Sequence, residues 1–332
     1  MTNRLVHLAG NGLTVPAAFV VTLLVVYVAW APAVVTTDLW GFTIVDASLA
    51  LAFTGAGLAI AVLVGGLDLS CAGVIALTNA TVTVLYGAGP AQQILSVLAA
   101  IAIGVAAGIV NGSLVHYFGL EPVVVTLATG FVLSGCALLV LPTPRGVTDV
   151  DGFSVLDFIS SSVLGVPIGL LLLVALVLSW LVFRRSRWGS RLMAVGSDAD
   201  AAANSGVPVG PTRILGFAIA GGLYGTAGVV LTSQISGGDT QLGAGYLLAA
   251  FAAVVIGGVR LGGGQGSVIG AVLGAVAVTV MVNVVFILGL ATYWSTIARG
   301  LILVAALLVQ ALLVVIARRT QSHSTFVLGG VQ

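Results

Sequence analysis

Apolar runs of about 20 residues, divided by short polar breaks, fill most of the chain. That length is what an α-helix needs to cross a hydrocarbon core of about 30 Å. Read in order, the runs predict spans at 15–35, 44–64, 72–85, 94–115, 123–141, 163–183, 214–235, 247–256, 268–290 and 293–316. The weak alternating segments of a membrane β-barrel are not the pattern here. The expected fold is an all-α polytopic membrane protein with about ten transmembrane helices, built as a single transmembrane domain over residues 1–332. The first run carries Ala31-Pro32-Ala33, which looks like a small-residue cleavage site. Its apolar stretch is longer than that of a signal peptide and a proline interrupts the site, so it reads as a retained helix.

One polar break is unlike the others. Residues 184–213 read RRSRWGSRLMAVGSDADAAANSGVPVGPTR, a basic start followed by an Ala-rich, helix-forming patch. Arginine excess marks the cytoplasmic side of a membrane protein. With ten spans, Arg4, the cluster Arg184, Arg185, Arg187 and Arg191, then Arg213, Arg260, Arg318 and Arg319 all fall near one face. The other face collects Asp38, Asp46, Asp149, Asp151, Asp157 and Asp239, with Arg145 as the exception. Both termini and the 184–213 loop are therefore expected in the cytoplasm, and the 142–165 loop outside.

Composition narrows the chemistry. The chain is 59% hydrophobic and 6% charged, with a mean hydropathy of +1.23, far from soluble domains. All 11 of its Lys and Arg residues are Arg. A phosphate-cradling P-loop needs a lysine, and so does Schiff-base chemistry, so the chain carries neither. No basic patch interleaved with aromatics points to nucleic acid. Cys71 and Cys136 lie in apolar surroundings outside any CxxC pair and read as packing thiols. His7, His116 and His323 are scattered, with no metalloprotease or catalytic-triad pattern. No cofactor, metal or catalytic residue is expected.

Two segments depart from plain helix: Val64-Gly65-Gly66-Leu67-Asp68-Leu69-Ser70, and Ile256-Gly257-Gly258-Val259-Arg260-Leu261 with its Gly-rich continuation to Ser267. Each runs aliphatic, Gly pair, aliphatic, charge, Leu, which places Asp68 opposite Arg260. Gly-interrupted short segments at matching places in two halves are the best sequence pointer to a transporter's translocation site. Charges kept near the membrane interior are costly without a role. The alternative is a pair of boundary turns, with glycine caps and charges in water. On the first reading, Gly65, Gly66, Asp68, Ser70, Gly257 and Gly258 belong to the pathway, joined by the polar residues Asn111, Thr126 and Asn283, whose default account is interhelical hydrogen bonding and whose sharper one is lining the pore. Gly108/Gly112, Gly221/Gly225 and Gly270/Gly274 are spaced for close helix packing.

GGLDLSCAGVIALTNA (65–80) resembles the GGIDLSVGSVLALTGA segment of bacterial ABC sugar importer permeases of the ribose, xylose and galactose type. GIVNGSLVHYFGLEPVVVTLATG (108–130), RRSRWGSRLMAVGSDADAAANSGV (184–207), GAGYLLAAFAAVVIGGVRLGGGQGSVIGAVLGA (243–275) and YWSTIARGLILVAALLV (293–309) resemble further blocks of that family, in the same order. The resemblance implies a multi-pass permease of the bacterial inner membrane, paired with a second permease subunit as a homodimer or heterodimer. It also implies a cytoplasmic ABC ATPase subunit and an extracytoplasmic solute-binding protein. By the same resemblance, 194–207 is the segment that couples to the ATPase, through Ala194, Val195, Gly196, Asp198, Asp200, Ala201, Ala202, Ser205 and Gly206. Asp198 is placed to cap a short helix there.

The departures from the family are local. Leu247 and Ala249 replace an acidic pair, Cys71-Ala72-Gly73 replaces VGS, and Asn204 replaces an apolar residue. Two other readings stand beside the sugar importer: a branched-chain amino acid ABC permease of the same superfamily, and an ion-coupled secondary transporter. The second wants a relay of embedded carboxylates, for which Asp68 alone is thin support.

Overall fold

A computed structural model describes residues 14–30, 40–147 and 154–289, with isolated positions at 32, 294, 297, 300, 301, 304 and 308. The chain enters through α1 (Thr14–Trp30). A short π-helical turn, Gly41–Asp46, leads into α2 (Ala47–Leu63). Next come α3 (Cys71–Leu85), α4 (Pro90–Tyr117) and α5 (Pro122–Val140). Both α4 and α5 open with proline at the first turn, where a missing N–H costs nothing and the fixed φ suits the helix.

The chain then forms β1 (Arg145–Gly146), a short α6 (Val155–Ile159) capped by Ser154, β2 (Ser162–Val163) and β3 (Val166–Pro167). Leu164 and Gly165, both at positive φ, make the tight β2–β3 hairpin turn. Helix α7 (Ile168–Arg185) is followed by two short helices, α8 (Arg187–Ser197) and α9 (Ala199–Asn204). Helix α10 (Val209–Ile235), β4 (Gly237–Gly238), α11 (Gly243–Ile256) and α12 (Val268–Ile287) complete the order. β1 and β4 pair antiparallel, tying the segment after α5 to the end of α10.

Helix α2 forms the centre. Its every residue from Ser48 to Leu63 is buried, with α10, α12, α11 and α7 packed around it. The most extensive helix pairing among the described residues is α4 against α10, made by small residues. A Cβ added to Gly104 or Gly221 would collide with the other's carbonyl oxygen, and one on Gly225 would lie 2.7 Å from the Ala100 oxygen. Gly108 and Gly112 meet Phe217 and Ile214 on the same seam, and Gly270 and Gly274 meet Gly257 and Ala253 between α12 and α11. Lipid tails are as apolar as leucine, so such contacts, rather than hydrophobic burial, hold membrane helices together. The outer faces of α4, α5 and α7 carry exposed Leu95, Leu98, Val132, Leu139 and Val182, as lipid-facing surfaces do.

Among the described residues, six helices are long and apolar enough to cross a membrane, with shorter apolar helices at Ala17–Ala29, Cys71–Leu85 and Gly243–Ile256. The chain is therefore an all-α protein of several membrane-crossing helices. The predicted spans from 15–35 to 268–290 each fall on one of these helices, and the run at 293–316 lies almost wholly outside the described residues. Residues 148–153 of the 142–165 loop also lie outside them. Helix ends correct the sequence reading of the polar island. Arg184 and Arg185 close α7, and α10 begins at Val209, so Arg213 is helical and not part of a loop. Hydropathy misses these turns because polar residues continue a helix that has already left the apolar zone.

The packing seam makes a testable contrast. Gly221→Ala forces a methyl into the Gly104 backbone, and overpacking of this kind costs about 1–3 kcal/mol. An added Cβ at Gly135, inside α5, meets nothing within 4 Å. In detergent-purified protein, thermal scanning fluorimetry is expected to show a lower apparent melting temperature for Gly221→Ala and no loss for Gly135→Ala.

Candidate functional site

The two Gly-broken segments end their helices in the same way. After α2, the Gly65 amide bonds the Val62 carbonyl and the Gly66 amide bonds that of Ala61, both at 2.9 Å, with Gly65 at φ 87°. After α11, the Gly258 amide reaches Val255 at 3.0 Å and the Val259 amide reaches Val254 at 3.1 Å, with Gly258 at φ 73°. Both are Schellman ends, which need a left-handed residue that glycine supplies without strain. The equivalent residues are thus Gly65 and Gly258. This moves the sequence alignment by one position, and Asp68 stands opposite Leu261 rather than Arg260.

The two charges then part company. Arg260 is exposed and its guanidinium bonds the Gln265 side chain. Its segment is a solvent-facing turn at that point. Asp68 is fully buried. Its Oδ1 accepts the Ser70 amide at 2.9 Å and the Ser70 hydroxyl at 2.6 Å. Asn111 of α4 donates its amide to the Ser70 oxygen at 3.0 Å. Thr126 of α5 accepts the Leu69 amide at 3.0 Å, and its hydroxyl lies 3.1 Å from the Leu67 carbonyl and 2.8 Å from that of Pro122. The 64–70 turn is therefore stapled to α4 through Asn111 and to α5 through Thr126.

This polar group is not fully closed. Asp68 Oδ2, Asn111 Oδ1 and the Tyr224 hydroxyl of α10 are buried with no hydrogen bond within 3.5 Å, although the phenol lies beside the carboxylate. No arginine pairs with it among the described residues. A buried carboxylate held only by neutral donors is costly to keep charged, so the arrangement over-determines one geometry of the turn.

Six of the sequence candidates, Gly65, Gly66, Asp68, Ser70, Asn111 and Thr126, come together at this turn. Gly257 and Gly258 sit at the end of α11. Asn283 does not join them: on α12, its amide bonds the Thr43 carbonyl within the π-helical turn. Tyr224 was missed by the sequence reading, although a lone phenol between Gly221 and Gly225 in an apolar helix is a visible signal. Asn79 was missed as well. It bonds Thr232 at 2.8 Å, the Gly237 carbonyl at 3.1 Å and the Asp239 amide at 2.8 Å, fixing α3 to the end of α10.

The polar island forms two capped helices. Ser186 caps α8 by accepting the Gly189 amide at 3.2 Å. Asp198 caps α9 by accepting the Asp200 and Ala201 amides at 3.0 and 2.9 Å. Val195, Gly196 and Ala202 face inward and are buried, while Ala194, Asp198, Asp200, Ala201, Ser205 and Gly206 are exposed. Asn204 closes α9 and is also exposed, so its polar side chain disturbs no core. Helices this short are marginal alone, and the caps together with the buried inner face hold them.

Residues 39–307 match the family described as branched-chain amino acid transport system / permease component. The chain belongs to this permease family. Among its relatives, the D-allose transport system permease protein AlsC of Escherichia coli (strain K12) is 31% identical over 263 residues, covering 78% of this chain and 79% of the relative. The Autoinducer 2 import system permease protein LsrD of Yersinia enterocolitica is 30% identical over 264 residues, covering 78% and 77%. LsrD of Salmonella typhimurium is 33% identical over 212 residues, covering 62% and 64%. No solved structure matches the chain. The permease is thus a membrane transport subunit rather than an ATPase, in line with its lack of lysine.

The Ser70–Asn111 contact predicts energetic coupling. In the permease, Ser70→Ala removes a donor to Asp68 and an acceptor for Asn111, and orphaning buried partners costs about 1–3 kcal/mol each. A double-mutant cycle of Ser70→Ala and Asn111→Ala, read by chemical denaturation in detergent, is expected to give a coupling of about 0.5–3 kcal/mol. Strict additivity would show the two side chains to be independent.

Proposed function

We propose that this permease is the membrane-embedded subunit of an ATP-driven ABC importer for a sugar or sugar-like solute. The observation that carries the reading is its similarity, over most of its length, to the permeases of the D-allose and autoinducer 2 import systems. The family description names branched-chain amino acids, which keeps that solute class as a second reading. The relatives favour the sugar.

In this reading the chain crosses the bacterial inner membrane about ten times, with both termini and the α8–α9 pair in the cytoplasm and the 142–165 loop outside. Four arginines, Arg184 and Arg185 just before that pair and Arg187 and Arg191 within α8, support the cytoplasmic assignment. The exposed face of 194–207 docks on the ATPase subunit, and a solute-binding protein delivers its cargo at the opposite end. A groove of about 630 Å³ between α4 and α5 is lined by apolar residues such as Ile103, Val110, Leu114, Val124 and Val132, with Thr129 alone offering a hydroxyl. Such a lining has little to offer a sugar, so the pathway is completed against a second permease subunit. ATP-driven movement of α8–α9 shifts the helices between inward and outward openings. The 64–70 turn, with Asp68, and the end of α11 at Gly257 and Gly258 belong to the moving pathway.

Proteoliposomes holding the permease with its ATPase and binding-protein subunits test this directly. D-allose uptake that requires MgATP and survives collapse of ion gradients is the expected result. Uptake that follows a proton or sodium gradient without ATP would sink the reading. Ala201 is exposed and touches no core, so Ala201→Arg is expected to leave insertion and thermal stability unchanged. It is expected to abolish co-purification with the ATPase.

A further inference from the structure

At the α8 end of the bundle, three segments meet through backbone with almost no side chain between them. Gly196, near the end of α8, presses its Cα on the carbonyl of Leu63, the last residue of α2; an added Cβ would collide with that oxygen and lie 2.8 Å from the Gly264 nitrogen. The same Leu63 oxygen accepts the Gly264 amide at 3.2 Å. Gly263, at φ 88°, has room for no Cβ because the Gly196 oxygen would lie 2.5 Å away and the Gly65 Cα 3.1 Å away. Gly264, at φ 65°, is pressed on Ser197. Thus the end of α8 touches both Gly-broken turns, the one after α2 and the one before α12, at a single point.

A side chain between two elements absorbs a small displacement by changing rotamer. Backbone pressed on backbone has no such slack, because protein interiors are close-packed and resist compression. If α8 moves, the 63–66 and 257–267 turns move with it or the joint breaks. The first turn passes the displacement on to α4 and α5 through Ser70–Asn111 and Thr126. The second leads directly into α12, which packs on α2.

We propose that the Gly196–Gly263–Gly264 contact is the joint through which the ATPase-docking segment drives both broken turns at once, with these glycines acting as positioning residues for transport. This rests on the reading of α8–α9 as the docking segment. Gly262, in the same loop, supplies the matched control, since an added Cβ there meets nothing within 4 Å and its φ is not positive.

The test uses the complete transporter in detergent or nanodiscs, with MgATP as the only probe, so no solute need be known. Hydrogen exchange is followed in peptides covering 61–66 and 257–267, alongside co-purification of the ATPase and its hydrolysis rate. In the wild type, MgATP is expected to change exchange in both peptides together. Gly264→Ala is expected to keep the ATPase bound and to lose the MgATP response at 61–66. Gly262→Ala is expected to match the wild type. Gly196→Ala, if it assembles, is expected to match Gly264→Ala; if it does not assemble, the other two variants decide the matter. An unchanged response in Gly264→Ala, or no response in either wild-type peptide, would overturn the joint. Loss of ATPase binding in Gly264→Ala would also overturn it, by making this contact part of the docking surface. An ATPase that fails to bind the wild type, or one that tolerates Ala201→Arg, would overturn the docking reading and the joint with it.

Discussion

Gly104 of α4 and Gly221 of α10 face each other with no space for a methyl group on either side. The same closeness recurs between α11 and α12, and again where α8 meets the two turns. In a bilayer, hydrophobic burial gives helices little reason to prefer one another over lipid. What remains is contact between backbones, and only small residues permit it. The central position of α2, the meeting of the two turns and the placing of Asp68 all follow from helices held at that distance. A bundle spaced by leucines would leave the 64–70 turn open to solvent, and Asn111 would not reach the Ser70 hydroxyl that holds the carboxylate.

Much of this was legible in the sequence. Hydropathy located the apolar helices, and the spacing of Gly108/Gly112, Gly221/Gly225 and Gly270/Gly274 marked faces that do pack closely. The cap at Asp198 was legible because an acceptor before an Ala-rich patch has few other uses. The two broken segments were recognised as kin, but their register was misjudged by one residue. Sequence shows a Gly pair in each, whereas hydrogen bonds decide which member takes the left-handed position. The different fates of Asp68 and Arg260 were not legible either. Burial depends on Asn111, Thr126 and Tyr224, three residues brought in from distant helices. Periodicity within a run says nothing about such long-range partners.

The permease family assigns a transport role, and the geometry says how the parts relate. Two small capped helices with an exposed face stand on one side, and two glycine-ended helices on the other. Between them stands a contact of three glycines rather than a long chain of side chains. Asn283 and the π-helical turn lie apart from it, at the Thr43 carbonyl. These polar residues thus form separate groups.

The enclosure of α2 has a further consequence, which concerns the lipid. In its apolar window 89% of residues are buried within the protein, against 22% in α5 and 28% in α7. Composition makes these three look alike, but only the outer two present most of their length to the bilayer. A change in hydrophobic thickness is met by tilt of lipid-exposed helices, at a modest cost per ångström of mismatch. By exposure, α5 and α7 are the helices such tilt would reach first, and α2, enclosed by its neighbours, the one it would reach least. Membrane thickness therefore acts on the rim of the molecule, and the axis around which it is built is insulated from the lipid in which it lies.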